Sequence, residues 1–146
     1  MRCIDLVGRL GLLFALLLGG GFAPASLAQP AALPAPAAAA NWDDYKLQAA
    51  QRLVQAHPGT SYTGVPPEPL YGIPVLEIEL NADGSVRRVT VLREPVEAKE
   101  TIRLAIDAVH RAAPYGNVSR LPRPWKFVEV FLFDYQRRFK PATLDR

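Results

Sequence analysis

Residues 73–92, IPVLEIELNADGSVRRVTVL, leave this chain few options. Leu76, Ile78 and Leu80 alternate with Val75, Glu77 and Glu79, the period of two of a strand with one buried face. Asn81-Ala82-Asp83-Gly84 then reads as a tight turn, with Gly84 supplying the positive φ and Asp83 tolerating left-handed geometry. A second strand carries Val86, Val89 and Val91. The step of three from Val86 to Val89 breaks strict alternation. A β-bulge near Arg87-Arg88 accounts for it, as does Val86 still belonging to the turn. Nothing in this hairpin is catalytic in pattern, so the question becomes what it presents and to what.

The flanking segments supply two helices and one more strand. Asn41 can cap a helix whose first turn holds Asp43 and Asp44 and whose apolar positions are Tyr45, Ala49, Leu53 and Ala56. His57-Pro58-Gly59 stops it. Residues 61–72 contain three prolines and two glycines and read as a rigid connector. After Arg93-Glu94-Pro95 a second helix is predicted over 97–113, striped by Ile102, Ile106, Val109 and Ala113, and ended by Pro114. Residues 125–135, WKFVEVFLFDY, form a third strand. Val128, Val130 and Leu132 take one face, and Phe127, Glu129, Phe131, Phe133 and Tyr135 the other. A right-handed crossover through the second helix sets strand three antiparallel beside strand one. The expected fold is α+β in the order α-β-β-α-β: a three-stranded antiparallel sheet, order 2-1-3, with two helices packed on one face. The tail QRRFKPATLDR is polar and basic, with Phe139 its one large apolar residue.

The N-terminus has a separate logic. Arg2 and Arg9 precede an apolar run over 10–22, and small residues follow up to Ala28. That is the pattern of a secretory signal peptide over 1–28, and the run is shorter than the ~20 apolar residues of a membrane span. An uncleaved membrane anchor is the alternative. Cleavage would remove Cys3, the only cysteine, and with it any disulfide or thiol chemistry. It would also lower the formal charge of +3 by one, too small an excess to argue for nucleic acid. Residues 29–40, QPAALPAPAAAA, are an Ala/Pro-rich linker with no face to bury. Residues 41–146 make up the folded domain.

Three pieces of this domain resemble the C-terminal domain shared by TonB and TolA, the periplasmic ends of two envelope systems of Gram-negative bacteria. Asp83-Gly84-Ser85-Val86 with Val89 and Val91 is similar to the family's "DGxVxxVxV" hairpin. AIDAVHRAAP over 105–114, with Tyr115 and the prolines beyond, is similar to its helix exit. Residues 127–141, ending RRFKP, are similar to its last strand. The resemblance implies a periplasmic protein–protein interaction module that binds an extended segment of an envelope protein by β-augmentation, with no enzyme activity, cofactor or metal. A TonB-type transducer has a retained anchor and a long linker, whereas this chain has a cleavable-looking leader and a short linker. Energy-coupled transport is therefore the reading only if residues 1–28 stay attached.

On this reading the binding edge is strand three: Lys126, Phe127, Val128, Glu129, Val130, Phe131, Leu132, Phe133 and Asp134. An edge strand offers unpaired N–H and C=O groups to a second chain. Phe127, Phe131 and Phe133 could add side-chain grip to that pairing, but the phenylalanines themselves are better explained as core. Arg87, Arg88 and Arg93 on the hairpin and Arg137, Arg138 and Lys140 on the tail could form a basic surface for cell-wall polymer or anionic lipid. Alternatively they are solvated charges balanced by Glu77, Glu79 and Asp134. His57 and His110 have too few candidate co-ligands to make a metal site. Ser61, Ser85 and Ser119 lack a nucleophile elbow or paired base, and Glu77 and Glu79 are explained by strand alternation. Asn117-Val118-Ser119 matches a glycosylation sequon, a pattern common by chance. An enzyme would instead need a concave site with convergent polar groups.

Overall fold

The computed structural model describes residues 33–145. The expected signal peptide, Cys3 and the start of the Ala/Pro stretch lie outside the described residues. Helix α1 spans Trp42–Gln55, strand β1 Val75–Leu80, β2 Val86–Arg93, helix α2 Glu100–Ala112, β3 Lys126–Phe133 and β4 Phe139–Pro141. A 3-10 turn, Ala142–Leu144, follows β4. Asn41 caps α1, its side chain accepting from the Asp44 N–H at 2.9 Å. Helix α2 begins three residues later than its sequence pattern suggests, because Ala98 takes a positive φ of 55°. It ends at Ala112, since Ala113, preceding Pro114, is forced extended with ψ 152°.

The hairpin forms as expected, and the bulge is real. Leu76, Ile78 and Leu80 stand opposite Val91, Val89 and Val86, and the register slips at Arg87, between the Glu79–Arg88 and Leu80–Val86 pairs, and again at Leu92, between the Leu76–Val91 and Val75–Arg93 pairs. The extra residue at Arg87 returns all three valines to the face packed on the core. The other face of this hairpin carries Glu77, Glu79 and Arg88, with Arg88 and Glu79 paired at 2.6 Å.

The sheet departs from expectation in one respect. It has four strands in the order β2-β1-β3-β4, so β3 is not its edge. The polar tail folds back: the Asp134 carboxylate accepts from the Arg138 backbone N–H and from its Nε, both at 2.9 Å. Arg137 takes a φ of 60° in the turn. Phe139, only 2% exposed, then drops beside Phe131 and Phe133, with ring centroids at 5.4 and 5.8 Å. A three-residue strand has too few positions to show a period, and this turn has neither Gly nor Asn-Gly to announce it. The connector seals the far side of β4: the Phe139 N–H donates to Thr60 O and Phe139 O accepts from the Tyr62 N–H, both at 3.0 Å.

Both helices contribute to one core with the inward residues of the strands, among them Tyr45, Leu53, Ile78, Val109, Phe127 and Phe131. Arg52 ties α1 to α2, donating from Nε to Ala112 O at 2.7 Å, a carbonyl left unpaired at the end of α2. From Nη1 it also reaches Pro34 O at 2.8 Å. The end of the Ala/Pro stretch thus lies against α1 without helix or strand of its own.

The hairpin turn is clasped by the loop after α2. Gly84 O accepts from the Tyr115 N–H and Ala82 O from the Val118 N–H, both at 2.9 Å. A Cβ on Gly84 would lie 2.0 Å from Gly116 O, and Gly84 has a φ of 84°. Gly64 has a similar φ of 92° with nothing within 4 Å. Chemical denaturation should therefore separate strain from collision. Gly64→Ala should cost about 1 kcal/mol, the price of left-handed backbone, whereas Gly84→Ala should cost about 3 kcal/mol or more. Equal losses in the two variants would show that the clasp contributes nothing.

Candidate functional site

The two sides of β3 differ. On one side its register runs from Val75–Val130 to Glu79–Lys126 against β1. Phe131 and Phe133 donate their N–H groups in that direction, to Pro74 O at 3.0 Å and Gly72 O at 2.9 Å. Strand alternation therefore turns the N–H and C=O groups of Lys126, Val128, Val130 and Leu132 the other way. On that side β4 pairs only with Phe131, Leu132 and Phe133. Among the described residues no strand covers Lys126 to Val130.

The uncovered half is partly closed by its own side chains. Glu129 is 1% exposed and reaches around the strand. Its Oε1 accepts from the Val130 N–H at 3.1 Å and from the Thr143 N–H of the 3-10 turn at 3.2 Å. The Lys126 N–H is taken by Pro124 O at 3.0 Å. Val128 remains, with its backbone aimed outward and the residue 40% exposed. Around it runs a groove of about 460 Å³ lined by Trp42, Lys46, Pro122, Arg123, Lys126 and Val128, among others. Trp42 is fixed there by donation from Nε1 to Pro122 O at 3.0 Å, and Arg123 lies 3.9 Å over the Trp125 ring.

The expected site residues therefore divide. Lys126 and Val128 face solvent at the groove, Lys126 paired with Glu77 at 3.0 Å. Phe127, Phe131 and Phe133 are core. Glu129 and Asp134 are buried and hold the edge and the tail turn, and Leu132 O accepts from the Tyr62 hydroxyl at 3.0 Å. Trp42 and Lys46 joined the groove from the far end of the chain, where nothing in α1 except the helix register could have pointed to them.

The tail cations are paired: Arg137 with Glu100 at 3.4 Å, Arg138 with Asp134 at 2.8 Å and Lys140 with Asp145 at 2.5 Å. On the hairpin, Arg88 is paired, whereas Arg87 and Arg93 have no acidic partner among the described residues. Beyond its bulges, β2 is an outer strand bearing these arginines, a pattern that discourages strand addition. His110 is exposed on α2, and His57 is buried at the end of α1. Among the described residues no three His, Cys, Asp or Glu side chains converge as metal ligands, and no helix is long and apolar enough to cross a membrane.

The chain matches no protein-family model, no curated protein and no solved structure. The likeness to the TonB/TolA C-terminal domain rests on the motifs quoted above.

Burial raises the pKa of Glu129 above its ordinary 4.5, against the weaker pull of its bonds to Thr143 and Val130. Its Oε2 has no partner among the described residues. A raised carboxyl pKa contributes stability in acid that is lost as pH rises from 4.5 through the folded value. Glu129→Gln keeps an acceptor for Thr143 and Val130 and removes the charge. Urea denaturation should show the variant gaining on the parent between pH 4 and pH 8, by about 1.4 kcal/mol for each unit that the pKa is raised. His57 acts in the opposite sense. Burial lowers its pKa from 6.5, so its share of stability is present above that pH and lost in acid.

Proposed function

We propose that this chain is a periplasmic protein–protein interaction module of the Gram-negative envelope. It takes an extended segment of an envelope partner by β-augmentation at Lys126 to Val128, the open part of β3. The observation that carries this reading is the outward backbone of Val128, uncovered by β4 and lying in a groove walled by Trp42 and Pro122. Outward N–H and C=O groups give an incoming strand its hydrogen bonds, and the groove gives alternate side chains a place to rest. The resemblance of the hairpin, the helix exit and the last strand to the TonB/TolA C-terminal domain supports the same mode. The reading is non-enzymatic and uses no cofactor. Contact with cell-wall polymer or anionic lipid through the tail draws no support from Arg137, Arg138 or Lys140, whose charges are already paired. Energy-coupled transport depends on residues 1–28 remaining attached.

Val128→Pro tests the edge directly. Proline is tolerated where a strand N–H faces solvent, and the β1 ladder does not use this one. The variant should keep the parent circular dichroism spectrum and lose partner capture from envelope extract by about tenfold, the equivalent of 1.4 kcal/mol. Undiminished capture by a folded variant would sink the proposal. A photo-crosslinker at Val128 should label the partner, and one at Thr90 on β2 should not.

A further inference from the structure

The groove along Val128 is positively charged. Lys46 reaches it from the second turn of α1, Arg123 from the loop before β3, and Lys126 from the strand itself. Glu77 is the one acid in its wall, and it is already paired with Lys126 at 3.0 Å. Lys46 and Arg123 have no acidic partner among the described residues. Glu129 lies behind the strand, where burial favours its neutral form, and it makes no ion pair with Lys46. The two free cations are therefore not balanced from within the domain.

Their placement follows the alternation of β3. Phe127 is in the core and Trp125 packs against it, so both turn toward the helices. Arg123 stacks 3.9 Å over the Trp125 ring, which puts it on the same side as Lys46 of α1. Stacking fixes the guanidinium plane and leaves its N–H edge able to meet a carboxylate. Val128 and Lys126 alternate to the opposite face, where Glu77 holds Lys126. A strand laid along the outward backbone of Val128 would thus have two unlike faces. One would meet Lys46, Arg123 and the ring of Trp42, and the other would meet the side chain of Val128.

We propose that the segment taken up at this edge is acidic: a short extended stretch of a partner protein with Asp or Glu at every second position and apolar residues between them. The carboxylates point toward α1 and accept from Lys46 and Arg123. The apolar residues lie against Val128 on the other face. Complementary charge of this kind selects the partner and fixes its register, while the backbone bonds hold it. This inference rests on strand addition at Val128 and adds the chemistry of what is added. The stretch is short because the edge is: the Lys126 N–H is held by Pro124 O and the Val130 N–H by Glu129.

Titration of the full chain with three end-blocked peptides of one β pattern, TEVEVET, TQVQVQT and TKVKVKT, followed by amide NMR shifts, tests the charge. TEVEVET should bind about tenfold more tightly than TQVQVQT, the scale of two exposed ion pairs. Its shifts should centre on Lys126, Val128 and the Trp42 indole, and its advantage should shrink between ~50 mM and ~500 mM salt. TKVKVKT should bind most weakly. In a variant carrying both Lys46→Glu and Arg123→Glu, folded by circular dichroism, TKVKVKT should overtake TEVEVET while TQVQVQT keeps its affinity. Equal binding of TEVEVET and TQVQVQT to the parent, with both lost in Val128→Pro, would overturn the acidic partner and leave strand addition standing. So would a lack of saturable shifts with any peptide in a chain that still captures a partner through Val128. TEVEVET binding undiminished in Val128→Pro, or shifts centred on Thr90 of β2, would overturn both.

Discussion

The close approach of Gly84 to Gly116 is the contact on which the rest of this structure depends. It brings the hairpin turn to the loop after α2 with no side chain between them, so backbone meets backbone at Tyr115–Gly84 and Val118–Ala82. The same loop carbonyl, Gly116 O, accepts from the Tyr45 hydroxyl at 3.0 Å. Tyr115 in turn donates to Val109 O at 2.7 Å. Phe127 of β3 sits between the two tyrosine rings, at 6.0 and 5.7 Å. One turn thereby sets the positions of α1, the end of α2 and the start of β3. Burial raises the pKa of both tyrosines above their ordinary 10, so both hydroxyls keep their protons, and their hydrogen bonds, into alkaline solution.

From that junction β3 runs out with its first half open and its second half covered. The cover is short but firmly held. Phe139 is buried among aromatic rings, and Lys140 bonds Gly64 O and Asp145. Removing β4 from the sheet would expose this cluster, so the tail is part of the domain rather than a removable strap. Glu129 finishes the protection by turning its own carboxylate onto the next N–H of the strand. A buried carboxylate is costly, and its persistence at this position is consistent with a need to limit how much of the edge is open.

Two hollows differ in physical kind. The groove at Val128 has unpaired backbone on a rigid strand, which suits an extended chain. The hollow beside His57 is walled by Leu104, Phe133 and Phe139, with Asp107 and Arg111 at its rim. They are built from opposite ends of β3, and they share the same aromatic core between them.

The strands of the hairpin and the two helices were legible in the sequence, because local period and turn chemistry encode them, whereas the broken alternation at Val86 left a bulge and a longer turn as equal readings until the pairing register decided for the bulge. The core role open to the phenylalanines of β3 follows from the same alternation. The fourth strand was not legible. Three residues carry no period, and the force that places Phe139 is burial against Phe131 and Phe133, residues that come together only when the chain turns at Asp134. For the same reason the sequence marked the whole of 126–134 as edge, while the folded chain leaves only its first half open. The pieces DGSV and AAPY could be read separately as turn and helix exit. That they clasp one another, and that Trp42 and Lys46 meet Val128 while His57 meets Asp107 and Arg111, was decided by tertiary structure alone. Residues distant in sequence acquire a joint chemistry only after packing has fixed the distances between them.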